Sequence, residues 1–116
     1  MTEATIVESG WVDIGAPDAF AANEGCRRVV NGMVLAIFHV GGRFFALDDL
    51  CTHGRASLSE GFVEDGCVEC PLHQALFSLE TGAAMTGPAT KGVRTYPIRI
   101  RDGRVEIRID SAALRG

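Results

Sequence analysis

Two short segments decide how this chain is interpreted: Cys51-Thr52-His53 and Cys70-Pro71-Leu72-His73. The first has the spacing C-x-H and the second C-x-x-H, and sixteen residues separate His53 from Cys70. Each segment can offer one thiolate and one imidazole from a tight turn, and two such turns brought together would supply four metal ligands. The sequence therefore predicts a metal centre held by Cys51, His53, Cys70 and His73.

Two thiolates and two imidazoles suit either a zinc ion or a Rieske-type [2Fe–2S] cluster. In that cluster both cysteines bind one iron and both histidines bind the other, so each loop would give one ligand to each iron. Zinc fingers usually pair two cysteines in one half and two histidines in the other, so the mixed halves favour the cluster. A zinc module stays open as the alternative, because Cys67-Val68-Glu69-Cys70 is a C-x-x-C. Its Cys₃His site would use Cys51, Cys67, Cys70 and a histidine.

The remaining cysteines and histidine have simpler interpretations. Cys26 has no partner at ligand spacing and is expected to be inert, as is Cys67 on the strand that leads into the second segment. His39 lies in an apolar strand and is expected to pack there. Once His53 and His73 are used, only His39 is left, so the chain cannot supply the two histidines and one carboxylate of a mononuclear iron oxygenase. An electron carrier, which is not itself an enzyme, is the function that these residues favour.

The composition is that of a single folded domain. The chain has 116 residues, of which 47% are hydrophobic and 22% charged, with a net charge of −4. The sequence has no cluster of lysines and arginines that would predict nucleic-acid binding. The N-terminus has no apolar signal region, and the longest apolar run, Met33–Phe38, is too short to cross a membrane. We therefore expect no membrane attachment, a cytoplasmic location and reduced thiols.

Turn signals and alternating hydrophobicity predict an all-β domain of about nine or ten short strands. The dipeptides Asn31-Gly32, Gly41-Gly42, Asp65-Gly66 and Asp102-Gly103 are typical of two-residue hairpin turns. Helix signals are thin, and one or two turns over Ala16–Asn23 are the most that we expect. The predicted strands are Trp11–Ile14, Arg27–Asn31, Met33–Val40, Arg43–Asp48, Gly61–Asp65, Cys67–Glu69, Ala75–Ser78, Arg94–Arg101 and Arg104–Ile109.

The sequence resembles the Rieske-type [2Fe–2S] ferredoxins of bacterial multicomponent aromatic-ring dioxygenase systems. The resemblance runs from about Trp11 to Ile109. The segments that carry it are Cys51-Thr-His-Gly54, Ser57-Leu-Ser-Glu-Gly61, Val68-Glu-Cys-Pro-Leu-His-Gln74, Phe77, Thr81-Gly82 and Val93-Arg-Thr-Tyr-Pro97.

The resemblance implies a fold of stacked antiparallel sheets, with residues 1–116 forming one Rieske domain. A small cluster-binding subdomain would span about residues 50–78, and Gly87-Pro88 would form a third loop that shields the cluster. The implied partners are a flavin-dependent ferredoxin reductase, which gives one electron, and a terminal oxygenase, which takes it. The alternative is a Rieske subunit bound to another oxidoreductase, such as the small subunit of a nitrite reductase.

Departures from other Rieske proteins predict a low reduction potential. High-potential members have an extra cysteine in each loop, and the two form a disulfide; the matching positions here are Ala56 and Leu72. Hydroxyl groups near the cluster sulfurs are also missing, because Ala75 and Phe77 stand at those positions. We therefore expect a potential of about −150 mV, near the bottom of the Rieske range. Four acidic residues near these loops have two open interpretations, a docking face for a partner or a solvated surface: Glu60, Glu64, Asp65 and Glu69.

Overall fold

The computed structural model describes residues 5–8, 10–51, 56–71, 75–86 and 91–109. In these ranges the chain forms eleven strands and two short 3₁₀ turns, Pro17–Ala19 and Leu58–Glu60, with no α-helix. The strands are β1 Thr5–Glu8, β2 Trp11–Gly15, β3 Gly25–Val30, β4 Met33–Val40, β5 Arg43–Asp48, β6 Phe62–Glu64, β7 Cys67–Glu69, β8 Leu76–Ser78, β9 Thr95–Tyr96, β10 Ile98–Arg101 and β11 Arg104–Arg108. The prediction of an all-β fold is confirmed. Nothing in the described ranges forms a helix long and apolar enough to cross a membrane.

The strands form three antiparallel sheets. The first sheet has the order β1-β2-β11-β10, the second β3-β4-β5-β9 and the third β6-β7-β8. The four predicted hairpin dipeptides join neighbouring strands of these sheets, and both residues of each have positive φ, for example 50° at Asn31 and 83° at Gly32. This backbone conformation matches the twist of the flanking strands, which explains why Asn, Asp and Gly occupy the turns.

The second sheet is the middle of three layers because β4 is buried on both faces. Leu35 and Ile37 pack with the first sheet in one core, whereas Ala36 and Phe38 pack with the third sheet in the other. Neighbouring residues of a strand point to opposite faces, so a strand covered on both sides needs a continuous apolar run, here Met33–Phe38. Each fully buried large side chain contributes about 1.5–3 kcal/mol.

The two cores have different memberships. The sheet core lies between the first and second sheets and contains residues such as Val12, Leu35, Ile37 and Ile107. The loop-side core lies between the second and third sheets and includes both cysteines of the predicted metal centre. Its buried members are Ala36, Phe38, Leu47, Cys51, Ala56, Leu58, Val68, Cys70, Ala75, Phe77, Leu79 and Val93.

The predicted strand Arg94–Arg101 is wrong as a single strand. Pro97 divides it into β9, which pairs with β5 in the second sheet, and β10, which pairs with β11 in the first. Proline has no N–H to donate to a ladder, so pairing ends there. The Pro97 carbonyl still accepts a hydrogen bond from the Arg108 N–H at 2.9 Å. The chain thereby crosses from one sheet to the other.

Other elements differ in smaller ways. Strand β1 was not predicted, and the segment Ala16–Asn23 forms only the 3₁₀ turn Pro17–Ala19. Glu106 shares a face of β11 with the exposed Arg104 and Arg108, but it is buried against Arg99, with 2.7 Å between Arg99 Nη2 and Glu106 Oε1. All three strands of the third sheet lie within residues 50–78. The division into one domain with a cluster-binding subdomain there remains a prediction.

Candidate metal centre

The two predicted ligand segments begin in the same way. The Cys51 N–H donates to the Ala56 carbonyl at 3.0 Å, and the Cys70 N–H donates to the Ala75 carbonyl at 2.8 Å. Each cysteine therefore starts a loop that is closed by a hydrogen bond to the residue five positions later. His53 and His73, the other two predicted ligands, belong to the intervening segments 52–55 and 72–74, which lie outside the described residues.

Strand pairing continues below each loop. Leu50 forms a bridge with Ser57 in the first, and Glu69 pairs with Leu76 in the second. One residue further from the first loop, the Asp49 carbonyl accepts a hydrogen bond from the Leu58 N–H at 2.7 Å. At the same distance from the second loop, Val68 pairs with Phe77. The two loops are therefore built on one plan. Because each loop stands on paired backbone segments, the cysteine that begins the loop has a fixed backbone position.

The loop-side core brings Cys51 and Cys70 into one apolar layer. Their exposed fractions are 1% and 0%, and neither forms a disulfide. Val68 and Cys70, two positions apart, are both buried, as the period-two geometry of a strand requires. Two buried thiols on matched loops fit the cysteine half of a Rieske-type ligand set. No larger group of metal-binding side chains occurs among the described residues, which do not include His53 and His73.

Cys67 is directed away from this layer. Cys67 is the first residue of β7 and lies three positions before Cys70, an odd number, so the two side chains face opposite sides of the third sheet. Cys67 is half-buried. Its cross-strand partners are Glu64 and Ser78. This orientation argues against the Cys₃His zinc site, which would need Cys67 and Cys70 on the same side.

The other candidates form local packing contacts. The sulfur of Cys26 accepts a hydrogen bond from Arg28 Nε at 3.4 Å. His39 stacks on Phe44 with 4.3 Å between ring centroids, and its Nδ1 lies 3.2 Å from the Phe20 carbonyl oxygen. The interpretation of His39 as a packed histidine is confirmed.

The positions predicted to tune the potential are apolar where the structure describes them. Ala56, Ala75 and Phe77 are all buried in the loop-side core with the two cysteines. Leu72 and Gly87-Pro88 lie outside the described residues. None of these three described positions therefore has a hydroxyl group to offer. Glu60, Glu64 and Asp65 are exposed and Glu69 is half-buried.

Two carboxylates that precede Cys51 were missed by the sequence interpretation. Asp49 is buried, with 3% of its surface exposed. Asp48 accepts a hydrogen bond from the Tyr96 hydroxyl at 2.6 Å. Burial, followed by this hydrogen bond, raises the pKa of Tyr96 above its ordinary range. The only sequence signal was position, because both aspartates stand between a buried strand and a ligand segment.

Three stacked antiparallel layers and two matched cysteine loops define the class of small β proteins that hold a metal centre on paired loops. The family model of the Rieske [2Fe-2S] domain matches residues 10–97, and the chain belongs to this family.

The chain is 53% identical over 109 residues to the anthranilate 1,2-dioxygenase ferredoxin subunit of Burkholderia cepacia, a match that covers 94% of this chain and 99% of that one. Among solved structures, it resembles the ferredoxin of carbazole 1,9a-dioxygenase from Nocardioides aromaticivorans IC177, with a TM-score of 0.84 and 25% identity over 88% of this chain and all of that one. A chain in the complex of reduced oxygenase and oxidised ferredoxin of carbazole 1,9a-dioxygenase gives a TM-score of 0.79 and 31% identity, covering 87% of this chain and 94% of that one.

These relationships confirm the predicted family, fold and cofactor. The cofactor is a Rieske-type [2Fe–2S] cluster, and the protein is an electron carrier of the ferredoxin type rather than a catalytic enzyme. The fold and the paired cysteines agree with that role, because they provide a rigid, apolar support for a redox group.

Proposed function

We propose that this protein carries single electrons from a flavin-dependent reductase to the terminal oxygenase of a bacterial aromatic-ring dioxygenase system, in the cytoplasm. The observation that carries the proposal is the 53% identity to a dioxygenase ferredoxin subunit along nearly the full length of both chains. The oxygenase partner has further support from the similarity to a chain of a ferredoxin–oxygenase complex. A carrier that delivers electrons must also receive them, and the resemblance to dioxygenase ferredoxins implies that the donor is a flavin-dependent reductase.

Four residues would hold the cluster: Cys51 and Cys70 on one iron, and His53 and His73 on the other. A bound Rieske cluster accepts and releases one electron at a time. The two cysteines would approach it from the loop-side core, where their backbone N–H groups are fixed by the Ala56 and Ala75 carbonyls. This support limits movement of the ligands when the charge of the centre changes, which favours fast electron transfer.

The apolar lining of the loop-side core would also set a low potential. Reduction adds a negative charge, and hydrogen bonds to the cluster sulfurs stabilise that charge. Ala75 and Phe77 have no hydroxyl group to donate such bonds. The resulting potential of about −150 mV suits the delivery of reducing electrons to an oxygenase.

The first experiment is anaerobic purification followed by iron and acid-labile sulfide assays and EPR spectroscopy before and after dithionite. We expect two irons and two sulfides per chain, with no signal when oxidised and a rhombic signal of low average g when reduced. Stoichiometric zinc without sulfide, in protein made with abundant iron, would refute the electron-transfer proposal and favour the zinc module.

The second experiment tests the partners by reconstitution. Purified holoprotein, a flavin-dependent reductase with NADH, and a Rieske oxygenase are combined, and oxidation of NADH coupled to product formation is measured. The product should form only when all three proteins are present. If the protein instead copurifies as a stoichiometric subunit of another oxidoreductase, the permanently bound alternative replaces the shuttle.

A further inference from the structure

Asp49 is a buried carboxylate at the base of the first ligand loop. It lies two residues before Cys51, and 3% of its surface is exposed. Burying a carboxylate is costly unless hydrogen bonds or an opposite charge compensate it. A solvent-facing aspartate would avoid that cost, so the position calls for an explanation.

The contacts of Asp49 join both arms of the loop to the middle sheet. Its N–H donates to the Val34 carbonyl on β4 at 3.2 Å, and its carbonyl accepts the Leu58 N–H at 2.7 Å. The side-chain Oδ1 accepts the Ser59 N–H at 2.9 Å, and Oδ2 lies 3.8 Å from Arg27 Nε on β3. One residue therefore connects the arm that enters the loop with the arm that leaves it.

The second loop provides an internal comparison. Its residue two positions before the cysteine is Val68, which is fully buried and pairs with Phe77. A neutral, apolar side chain is therefore enough to support a loop of this plan. The charge of Asp49 is an additional feature, found in one loop only.

Within the part of the chain that the structure describes, the charge of Asp49 is only partly compensated. Arg27 lies within ion-pair distance of it, but 59% of the arginine side chain is exposed and its Nε is 3.8 Å from Asp49 Oδ2. Solvent therefore screens the arginine, whereas the buried carboxylate is screened much less. Residues two apart in sequence have Cα atoms no more than about 7 Å apart, so this charge lies close to Cys51.

We propose that Asp49 is a positioning residue for Cys51 and that its negative charge keeps the reduction potential of the cluster low. Its hydrogen bond to Ser59 holds the two arms of the first loop together. Its charge disfavours the reduced centre, which carries one more negative charge than the oxidised centre. This inference rests on the proposed role of Cys51 as a cluster ligand.

The charge is tested by Asp49→Asn in the holoprotein. The asparagine keeps an oxygen that can accept the Ser59 N–H but has no charge. We expect iron and sulfide content and g values like those of the wild type, with a higher potential. At a fixed ambient potential, the ratio of reduced to oxidised protein should rise by roughly tenfold. The matched control is Glu106→Gln, which removes another buried, ion-paired carboxylate in the first sheet and should leave the ratio unchanged.

Positioning is tested by Asp49→Ala, which removes the acceptor for Ser59 as well as the charge. Cluster loss in the presence of an iron chelator should be several-fold faster than in Asp49→Asn, and equal rates would contradict the positioning role. If Asp49→Asn does not retain its cluster, Arg27→Gln decides the question of charge. That side chain is largely exposed, and its loss removes the positive charge 3.8 Å from Asp49, so the potential should fall; an unchanged potential would contradict the role of the charge.

The outcomes separate this inference from the proposed function. A wild-type protein without iron and sulfide refutes the function itself. A wild-type protein with a normal cluster, whose potential is unmoved by Asp49→Asn, refutes only the role of the Asp49 charge. An equal shift in Glu106→Gln would also refute it, because the effect would then be unspecific.

Discussion

The hydroxyl of Tyr96 on β9 donates a 2.6 Å hydrogen bond to Oδ1 of Asp48 at the end of β5. The Asp48 N–H also donates to the carbonyl of Arg94, the residue just before β9, at 2.9 Å. Strand β9 is only two residues long, so this side-chain bond is a substantial part of its attachment. Because Asp48 lies three residues before Cys51, the bond also fixes the strand from which the first loop leaves.

Replacing Tyr96 with phenylalanine should therefore destabilise the protein. The variant keeps the buried ring but leaves Asp48 without this donor, and we expect a loss of roughly 1–2 kcal/mol in the free energy of unfolding. Urea denaturation of the holoprotein, followed by the visible absorbance of the cluster and by circular dichroism, measures it. Asp48→Asn, which keeps a neutral acceptor, should lose less. Equal stability of Tyr96→Phe and wild type would contradict this account.

Alkaline pH should reveal the same bond. The pKa of Tyr96 is raised by burial and by the bond to Asp48, so the folded protein holds the phenolic proton more tightly than the unfolded chain. An unfolded tyrosine ionises near pH ~10. The stabilisation is therefore complete below about pH 10 and is lost as the pH rises above it. Since Tyr96 is the only tyrosine, Tyr96→Phe should lack this component when unfolding is measured from pH ~8 to 12.

Much of the fold could be predicted because its strands follow simple patterns. The bounds of Met33–Val40, Arg43–Asp48 and Cys67–Glu69 agree between sequence and structure, since each is set by alternation or a buried run between strong turn signals. Pro97 was misjudged because its flanks look like one continuous strand. Only the three-dimensional pairing shows that the two halves belong to different sheets.

The candidate ligands were predicted from their chemistry and spacing. The buried contacts that hold the first ligand loop in place were not predicted. Cysteine–histidine spacing identified Cys51 and Cys70, and the structure places both in the loop-side core. The only sequence signal at Asp49 was its position near Cys51, and that signal is weak because an aspartate beside a turn is normally solvated. Its burial depends on Ser59 and Arg27, which come from other parts of the chain.

Serine substitutions should distinguish the two cysteines predicted to bind the cluster from the other cysteines. We expect Cys51→Ser or Cys70→Ser to abolish or strongly disturb the [2Fe–2S] cluster, because each removes a thiolate from the loop-side core. Cys67→Ser is the matched control: it lies three residues from Cys70 but faces the other side of the sheet. It should keep two irons, two sulfides and an unchanged EPR spectrum. Loss of metal from Cys67→Ser, with zinc in the wild type, would favour the Cys₃His alternative.

A hydroxyl group added beside the second loop should raise the potential. In Ala75→Ser, the new side chain would lie in the loop-side core with the two cysteines, where it could donate a hydrogen bond to a sulfur of the bound cluster. Such a bond stabilises the more negative, reduced state, so we expect a positive shift on the order of tens of millivolts. Ala46→Ser is the control, since it places the same hydroxyl in the sheet core, on the opposite face of the middle sheet. Both variants bury a hydroxyl and should lose some stability, but only Ala75→Ser should shift the potential in protein-film voltammetry. A shift of the same size in both would show that general loosening, rather than a local hydrogen bond, controls the cluster.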